Sequence, residues 1–330
     1  MSFFKKLFKN VIKDGDPKDD TVTVKGKPKP RYYGTVTPYP NFNASSDASV
    51  LQAAIKSKGV DEDVIIAVLV KRSNEQRQKI KVVYEASTGK SLDKSLKAAL
   101  RSDLEDVSLA LLMAPPHFDA HLLRKATKRL GTDEDVLVEV LATRSNQEIQ
   151  ELKRVFKEVY KTDLEDVIKD ETSGDFTTAL LAMLKANRAE NTEVDTDLAR
   201  RDAQGAHLPI NTCLSVYLLA FQQYACISDI TLPKALDMEL KGDIEDCLTD
   251  IVKCSWNAPA FFAEKLHLAM KGHGTCEDTL IRVLVSRSEI DLKKILEQYR
   301  AMYDVSLQED IMKDTKGHYR DILLGLCGPH

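Results

Sequence analysis

The chain has 330 residues and a formal net charge of −4, with 47 Lys and Arg against 51 Asp and Glu. That balance argues against DNA or RNA as the main partner, because phosphate backbones bind basic surfaces. No apolar run reaches the ~18 residues that span a bilayer, the N terminus lacks a signal-peptide cleavage site, and Ser2 excludes myristoylation. These features predict a cytoplasmic protein, and an anionic membrane partner would need a bridging cation.

The N-terminal tail carries an apolar stripe beside a basic face. The stripe consists of Phe3, Phe4, Leu7, Phe8, Val11 and Ile12, and the basic face of Lys5, Lys6, Lys9 and Lys13. This spacing predicts an amphipathic helix over residues 2–13 that lies on a membrane or enters a groove of a partner. The alternatives are a helix packed on its own core and a disordered tail. Residues 14–35, rich in Asp, Lys, Pro and Gly, resemble a flexible linker.

Three segments of the chain are similar to one another, which indicates an internal repeat. They begin at Lys58, Leu130 and His273, and Gly59 and Gly131 lie 72 residues apart. Because Gly131 and Gly274 lie 143 residues apart, about two periods, a fourth copy is expected between them. The predicted organisation is a tail and linker followed by four copies: 1–35, then 40–113 (copy one), 114–186 (copy two), 198–257 (copy three) and 258–330 (copy four).

Each copy is predicted to contain five short helices and no strand. In copy two, apolar residues at helical spacing place the helices near 118–129, 133–143, 146–160, 163–170 and 174–185. Helix starts are indicated where an N-cap residue precedes a polar or acidic residue by three positions, as at Thr132, Ser145, Thr162, Ser73 and Ser288. An α-solenoid of the HEAT or armadillo type fits poorly, since its units are ~40–47 residues long with two or three helices.

The loop Leu130–Glu134 joins two of these helices, and its glycine allows backbone carbonyls to point outward together. Calcium takes oxygen ligands of this kind, together with carboxylates and waters. Glu171 follows Arg129 by 42 residues, and Asp314 follows Gly272 by the same distance. We expect these two acids to complete a calcium site. Ala99 stands at the matching position of copy one, and a simple cap and turn remains the alternative for each loop.

These loops carry a resemblance to the annexin family, and the segments VTPYPNFNASSD and MELKGDIEDCLTDIVKC resemble its lipocortin type. The motifs are MKGHGT at Met270–Thr275, TKRLGT at Thr127–Thr132 and IKSKGV at Ile55–Val60, with Arg-Ser pairs at 72–73, 144–145 and 287–288. The resemblance covers residues 40–186 and 229–330. It implies an all-α array of four five-helix repeats in a curved disc, with calcium loops on the convex face that bridge to anionic phospholipid.

The family motif implies a calcium ligand set for each copy. In copy two the set is the carbonyls of Thr127, Arg129 and Gly131 with Glu171. In copy four it is the carbonyls of Met270, Gly272 and Gly274 with Asp314. Secondary loop sites would use Thr132 with Glu134, Thr275 with Glu277, and Gly59 and Val60 with Glu62 in copy one. A minor site would use Lys97, Leu100 and Glu105.

Copy three departs most from the family pattern. It keeps a closing acid, Glu239, but Arg200–Ala220 contains no GxGT loop, and Gly205–Ala220 resembles no annexin segment. Together with a linker near 186–197, copy three is too short for a full period. We interpret this as a deletion, a splice variant or a frameshifted stretch that removes the calcium site. In copy two, Arg129 replaces the usual glycine, which restricts the backbone at that position.

The predicted function is calcium-dependent binding to anionic phospholipid membranes. The resemblance adds membrane bridging, phospholipase A2 inhibition and docking of residues 2–13 on a small EF-hand dimer. It implies a protein of the cytoplasm and nucleus that moves to the cytosolic face of the plasma membrane or vesicles when calcium rises. The alternative is a calcium-independent helical scaffold for protein partners. No GxSxG, HExxH or P-loop motif is present, so no enzyme activity is expected.

Overall fold

The computed structural model describes residues 32–128, 131–188, 240–272 and 274–328. Within these ranges the chain is all-α with no strand, which confirms the predicted fold class. None of the helices in this part is both long enough and apolar enough to cross a membrane. The predicted tail helix over 2–13, the atypical segment Arg200–Ala220 and Glu239 lie outside the described residues.

Copies one and two each contain five helices, as the periodicity predicts. In copy one they are α1 Ala44–Lys56, α2 Glu62–Val70, α3 Asn74–Thr88, α4 Leu92–Ala99 and α5 Ser102–Leu112. In copy two they are α6 Pro115–Lys128, α7 Glu134–Thr143, α8 Asn146–Tyr160, α9 Leu164–Glu171 and α10 Gly174–Leu184. The last four agree with the sequence prediction to within one residue at each end.

The remaining described helices run from copy three through copy four. They are α11 Asp243–Ala269, α12 Glu277–Arg287, α13 Leu292–Tyr303, α14 Leu307–Asp314 and α15 Gly317–Cys327. α11 breaks at Asn257, whose backbone is extended (φ −159°, ψ 89°). The Asn257 side chain accepts a hydrogen bond from the Ala260 amide at 3.0 Å, and Pro259 lies in the turn that follows. Both features start a new helical segment, because Asn caps helices and Pro tolerates the first turn.

The chain forms two compact units, Met1–Leu112 with Phe262–His330 and Met113–Phe261. In the first unit, copies one and four pack on each other, and α15 approaches α2 closely at Gly325. A Cβ atom at Gly325 would lie 3.0 Å from the Val70 side chain. A partly buried ion pair joins the two copies, with Arg77 Nη2 3.0 Å from Glu289 Oε1.

Residues 32–36 also belong to the first unit. The amides of Thr35 and Val36 both donate to the Ser288 carbonyl, at 2.8 and 3.0 Å. The Thr35 hydroxyl donates to the Leu326 carbonyl at 2.6 Å. The linker prediction over 14–35 is therefore wrong for residues 32–35, because composition carries no information about hydrogen bonds to residues 250 positions away.

In the second unit, the chain after α10 forms hydrogen bonds with residues at the C-terminal end of α7. The Arg188 guanidinium donates to the carbonyls of Ala142 and Arg144, at 3.2 and 3.1 Å. The Asn146 side chain exchanges two hydrogen bonds with the Arg188 backbone, at 2.7 and 3.0 Å. These bonds satisfy carbonyls at a helix end that would otherwise lack partners.

The predicted helix caps are confirmed at two positions and wrong at three. Ser73 and Ser145 form capping boxes with Gln76 and Glu148. Asp133, not Thr132, caps α7, and α9 is preceded by Asp163 rather than Thr162. Ser288 is the C-terminal cap of α12, in a helical conformation, and not the N-cap of a following helix. At Thr132 the hydroxyl donates instead to the Glu171 carbonyl, a tertiary hydrogen bond that takes the place of the local cap.

A buried Arg–Asp pair repeats in copies one and two but not in copy four. Arg72 contacts Asp47 through two nitrogens, at 2.6 and 2.8 Å, and Arg144 contacts Asp119 in the same way, at 2.8 Å for both. At the matching aspartate position copy four has Phe262. Arg287 lies over that ring at 4.7 Å and pairs with Asp291 at 2.7 Å.

Candidate metal centre in the inter-helix loops

One backbone hydrogen bond closes the base of each loop in all three well-described copies. The Asp61 amide donates to the Ala54 carbonyl at 3.0 Å, and the Asp133 amide to the Ala126 carbonyl at 3.0 Å. In copy four the Cys276 amide donates to the Ala269 carbonyl at 2.8 Å. The six residues between these partners include every predicted carbonyl donor of the main sites.

The loop glycines take backbone angles that other residues rarely adopt. Gly59, Gly131 and Gly274 have φ values of 78°, 96° and 104°, which places all three in the left-handed region that glycine favours. Copy four has a second such residue, Gly272, with φ 136°. The matching residue of copy one, Ser57, has an ordinary φ of −62°, and Arg129 of copy two lies outside the described residues.

In copies two and four a threonine hydroxyl ties the loop to the acid. Thr132 Oγ1 donates to the Glu171 carbonyl at 2.9 Å. Thr275 Oγ1 lies 3.2 Å from the Asp314 carbonyl and 2.6 Å from Asp314 Oδ2. The structure therefore places a loop threonine against the predicted acid in both copies, although the two residues lie 39 positions apart in sequence.

Sequence reasoning assigned these threonines to caps or secondary sites and missed this role. A signal was present, because copy one lacks both members of the pair: Val60 replaces the threonine and Ala99 replaces the acid.

The copy-one loop keeps its closed base, but its donors are engaged elsewhere. The Ser57 hydroxyl lies 2.7 Å from the Gly59 carbonyl, which was a predicted ligand. Glu62 contacts His318 Nδ1, and His318 Nε2 lies 3.5 Å from Asp63 Oδ1. A cation bound here would compete with these contacts.

The predicted minor site of copy one contains a similar conflict. Leu100 directly follows α4 as its C-terminal cap, and its carbonyl accepts a hydrogen bond from Arg101 Nη1 at 2.6 Å. The same nitrogen also reaches the Ala98 carbonyl at 2.9 Å. Lys97 lies in the last turn of α4 and Glu105 in the first turn of α5. The Arg101 guanidinium thus holds the carbonyl that a calcium ion would need.

The secondary acids begin the helices that follow the loops. Glu134 is the first residue of α7 and Glu277 the first residue of α12. Beside the copy-two loop lies a cleft of about 430 Å³, open to solvent, and most of its lining is acidic. It is lined by Gly131, Thr132, Asp133, Glu134, Asp135, Val138, Asp243, Asp246 and Asp250. The three aspartates of α11 were not singled out from the sequence, and they share one helix face because of their spacing.

An aromatic cluster packs against the last turn of α11, where the copy-four loop begins. The His267 ring stacks on Tyr303 at 3.8 Å with an interplanar angle of 13°. The Tyr299 hydroxyl donates to Asp310 Oδ2 at 2.7 Å. Burial is the main cause that raises the pKa of the Tyr299 hydroxyl, and the hydrogen bond with Asp310 adds to it. These contacts hold the last turn of α11, where the loop begins, against α13 and α14.

The donor chemistry of copies two and four fits calcium. The predicted donors are backbone carbonyls and carboxylates, which are hard oxygen ligands. In the described part of the chain, no group of three or more His, Cys, Asp or Glu side chains could hold a metal. A metal at these loops therefore needs the carbonyls as well as the single carboxylate, and a phosphate or water could fill the open positions.

These features define an all-α repeat protein with calcium-type loops between helices. The annexin family model matches residues 46–111, 118–183 and 261–326. Annexin A1 of Rattus norvegicus is 51% identical over 309 residues, covering 89% of each chain. Annexin A1 of Homo sapiens is 50% identical over 309 residues, again covering 89% of each. The chain belongs to the annexin family, as its loop motifs predicted.

Solved structures agree with this assignment. Annexin III matches with a TM-score of 0.87 and 40% identity, covering 90% of this chain and 98% of its own. Calcium-bound annexin (Sm)1 matches with a TM-score of 0.83 and 30% identity, covering 91% and 94%. Annexins in general bind calcium and phospholipid and are not enzymes, and calcium is accordingly the metal expected here.

Proposed function

We propose that this protein binds anionic phospholipid membranes through calcium ions held in the loops of copies two and four. The proposed ligands in copy two are the carbonyls of Thr127, Arg129 and Gly131 with the Glu171 carboxylate. In copy four they are the carbonyls of Met270, Gly272 and Gly274 with the Asp314 carboxylate. A lipid phosphate would complete each coordination shell, so that calcium bridges protein and membrane.

The threonine tie between loop and acid is the observation that carries this proposal. Thr132 Oγ1 lies 2.9 Å from the Glu171 carbonyl, and Thr275 Oγ1 lies 2.6 Å from Asp314 Oδ2. These hydrogen bonds keep both acidic residues next to the loops. A loop of carbonyls neutralises no charge on its own, and the tied acid supplies that charge. Copy one has the same closed loop base without the tie or the acid, so it contributes at most a weak secondary site.

Each site has one carboxylate, which favours weak binding of a single calcium ion, roughly 10⁻⁴–10⁻³ M as for other sites of low charge. Loops in separate copies acting on one membrane would raise the overall avidity by ~10²–10⁴. Membrane binding should therefore respond to calcium more steeply than the filling of one loop in the absence of lipid.

Sedimentation with phosphatidylserine vesicles across a calcium titration tests the proposal. We expect calcium-dependent pelleting, and we expect Glu171→Ala with Asp314→Ala to need at least about tenfold more calcium. The matched control is Asp170→Ala with Asp321→Ala, which removes the same charge from acids that are not proposed ligands. Pelleting that needs no calcium, or a double variant equal to its control, would contradict calcium bridging and favour the scaffold function.

Membrane bridging and phospholipase A2 inhibition are finer roles implied by the resemblance. We infer that inhibition arises when the bound protein covers the lipid substrate, since this needs no contact with the enzyme. An excess of vesicles should then relieve the inhibition.

Bridging would use the basic tail over 2–13 as a second attachment to membrane, and the same tail is proposed to dock on an EF-hand dimer. The protein would move between cytoplasm, nucleus and membranes as calcium changes.

A further inference from the structure

Copy four presents two large apolar side chains to solvent beside its loop. Leu268 lies in the last turn of α11 and is 53% exposed, and Met312 lies in α14 and is 45% exposed. Each stands two residues before a proposed ligand, Met270 or Asp314. Because the Thr275 hydroxyl bonds Asp314 at 2.6 Å, the two segments that carry these side chains meet at the same loop.

Among the well-described copies, only copy four has a large apolar side chain at both of these positions. Copy two has Lys125 and Lys169 at the matching positions, and copy one has Ala53 and Lys97. The neighbours of Leu268 explain why it is exposed. His267 packs on Tyr303, and Leu266 and Ala269 are buried, so the helix face that remains for Leu268 is the outer one.

Three exposed lysines lie close to these two side chains in sequence. Lys271, Lys313 and Lys316 are all exposed and lie within four residues of Leu268 or Met312 in sequence. At the last two positions copy two has Asp170 and Ser173 instead. Apolar side chains bordered by lysines are the composition of surfaces that lie in the interface of an anionic bilayer, where the lysines reach the head groups.

We propose that Leu268 and Met312 insert into the interface of an anionic bilayer once calcium has docked the copy-four loop. Each apolar side chain lies two residues from a proposed calcium ligand, and the exposed lysines near them in sequence complement anionic head groups. Copy four would then hold the membrane by calcium, charge and apolar contact, and copy two by calcium and charge alone. This inference rests on the proposed function.

Quenching of tryptophan by brominated acyl chains measures the insertion directly. The chain has one tryptophan, Trp256, so W256F/L268W places a single probe at the proposed edge. The control is W256F/V82W, since Val82 is 71% exposed on α3, which carries no proposed ligand. We expect calcium-dependent quenching of the probe at position 268, reversal by chelator, and no quenching at position 82.

Vesicle pelleting in the same samples separates the two proposals. Pelleting with calcium but without quenching at position 268 would overturn insertion and leave calcium bridging intact. Absence of pelleting would overturn the proposed function and insertion with it. A dimer of the free protein that disappears in L268K/M312K would show that the pair joins two copies of the chain, and this too would overturn insertion.

An exchange between copies gives a second test that does not depend on a probe. We expect L268K/M312K to raise the calcium needed for half-maximal pelleting about threefold, because two apolar contacts with the bilayer are lost. K125L/K169M, which gives copy two the same pair, should lower it. V82K should change nothing. Equal midpoints for all four proteins would contradict the proposal.

Discussion

The loops of copies one and four belong to the same compact unit and share the same backbone closure, yet they differ in what surrounds it. The copy-four loop is joined to Asp314 by Thr275. In copy one, Val60 and Ala99 remove both partners, and the Ser57 hydroxyl contacts the Gly59 carbonyl instead. The two copies therefore share the closed loop base and differ in the tied acid, and we propose that this acid decides whether a loop binds calcium.

In their cores the same two copies differ in the opposite direction, because copy one is the one that keeps a buried Arg–Asp pair. Copy one keeps the buried pair of Arg72 and Asp47, whereas copy four has Phe262 in place of the aspartate. The copy that keeps the buried Arg–Asp pair thus has the loop without a tied acid. Stability of the helices and competence of the loop are separable properties of a repeat, and the following experiments test that separation.

The largest effect is expected for Asp47→Ala, which leaves the Arg72 charge buried without its partner. Loss of one member of a buried ion pair costs ~3–5 kcal/mol of unfolding free energy. Asp291→Ala in copy four should cost less, about 1.5–3 kcal/mol, since Arg287 keeps its contact with Phe262. Denaturant unfolding measures both, and the calcium midpoint should not change. Equal losses in the two variants would show that the ring gives Arg287 no support.

Asp314→Ala tests the other side of the comparison. Removal of the only carboxylate of the copy-four site should raise the calcium midpoint for vesicle binding about tenfold, because the ion loses its charged protein ligand. Unfolding free energy should change little. Asp321→Ala, a neighbouring acid paired with Arg320 at 3.1 Å, serves as the control. A similar rise in that control would mean that only net charge matters.

Grafting the copy-four features into copy one should create a site. Ser57→Gly, Val60→Thr and Ala99→Asp together restore the glycine, the hydroxyl and the acid at the matching positions. We expect the calcium midpoint to fall about threefold, since one more loop then acts on the membrane. The double variant without Ala99→Asp should gain little. If both variants behave alike, the acid is not the decisive element.

Thr275→Val should produce the smallest effect, because it removes one hydroxyl while keeping the side-chain shape. A net hydrogen bond contributes ~0.5–1.5 kcal/mol, part of which the calcium ion restores by binding Asp314 itself. The calcium midpoint should rise about twofold in the same vesicle titration. Thr279→Val, next to the loop but not bonded to Asp314, is the control. A rise of tenfold would make the threonine a direct ligand rather than a tie.

Much of this architecture was predictable because repeat periodicity and helical spacing are local signals that occur several times. Four helices of copy two end within one residue of their predicted bounds. The first begins three residues earlier than predicted, at Pro115, because proline suits the first helical position. The offset from loop to acid also predicted Glu171 and Asp314, since the same spacing occurs twice, and a loop threonine contacts each of them.

The sequence alone determined the helical repeat, the loop glycines and the acids at a constant offset, because each depends on residue type at fixed spacing. Tertiary structure decided which donors meet. Thr132 and Thr275 form hydrogen bonds with acidic residues about forty positions away. Arg101 donates a hydrogen bond to the Leu100 carbonyl, and His318 contacts the Glu62 carboxylate. Residues 32–35 join copy four in the same way. A hydrogen-bonding group pairs with a partner that the fold brings near, and the residue pattern of one segment does not specify partners from distant segments.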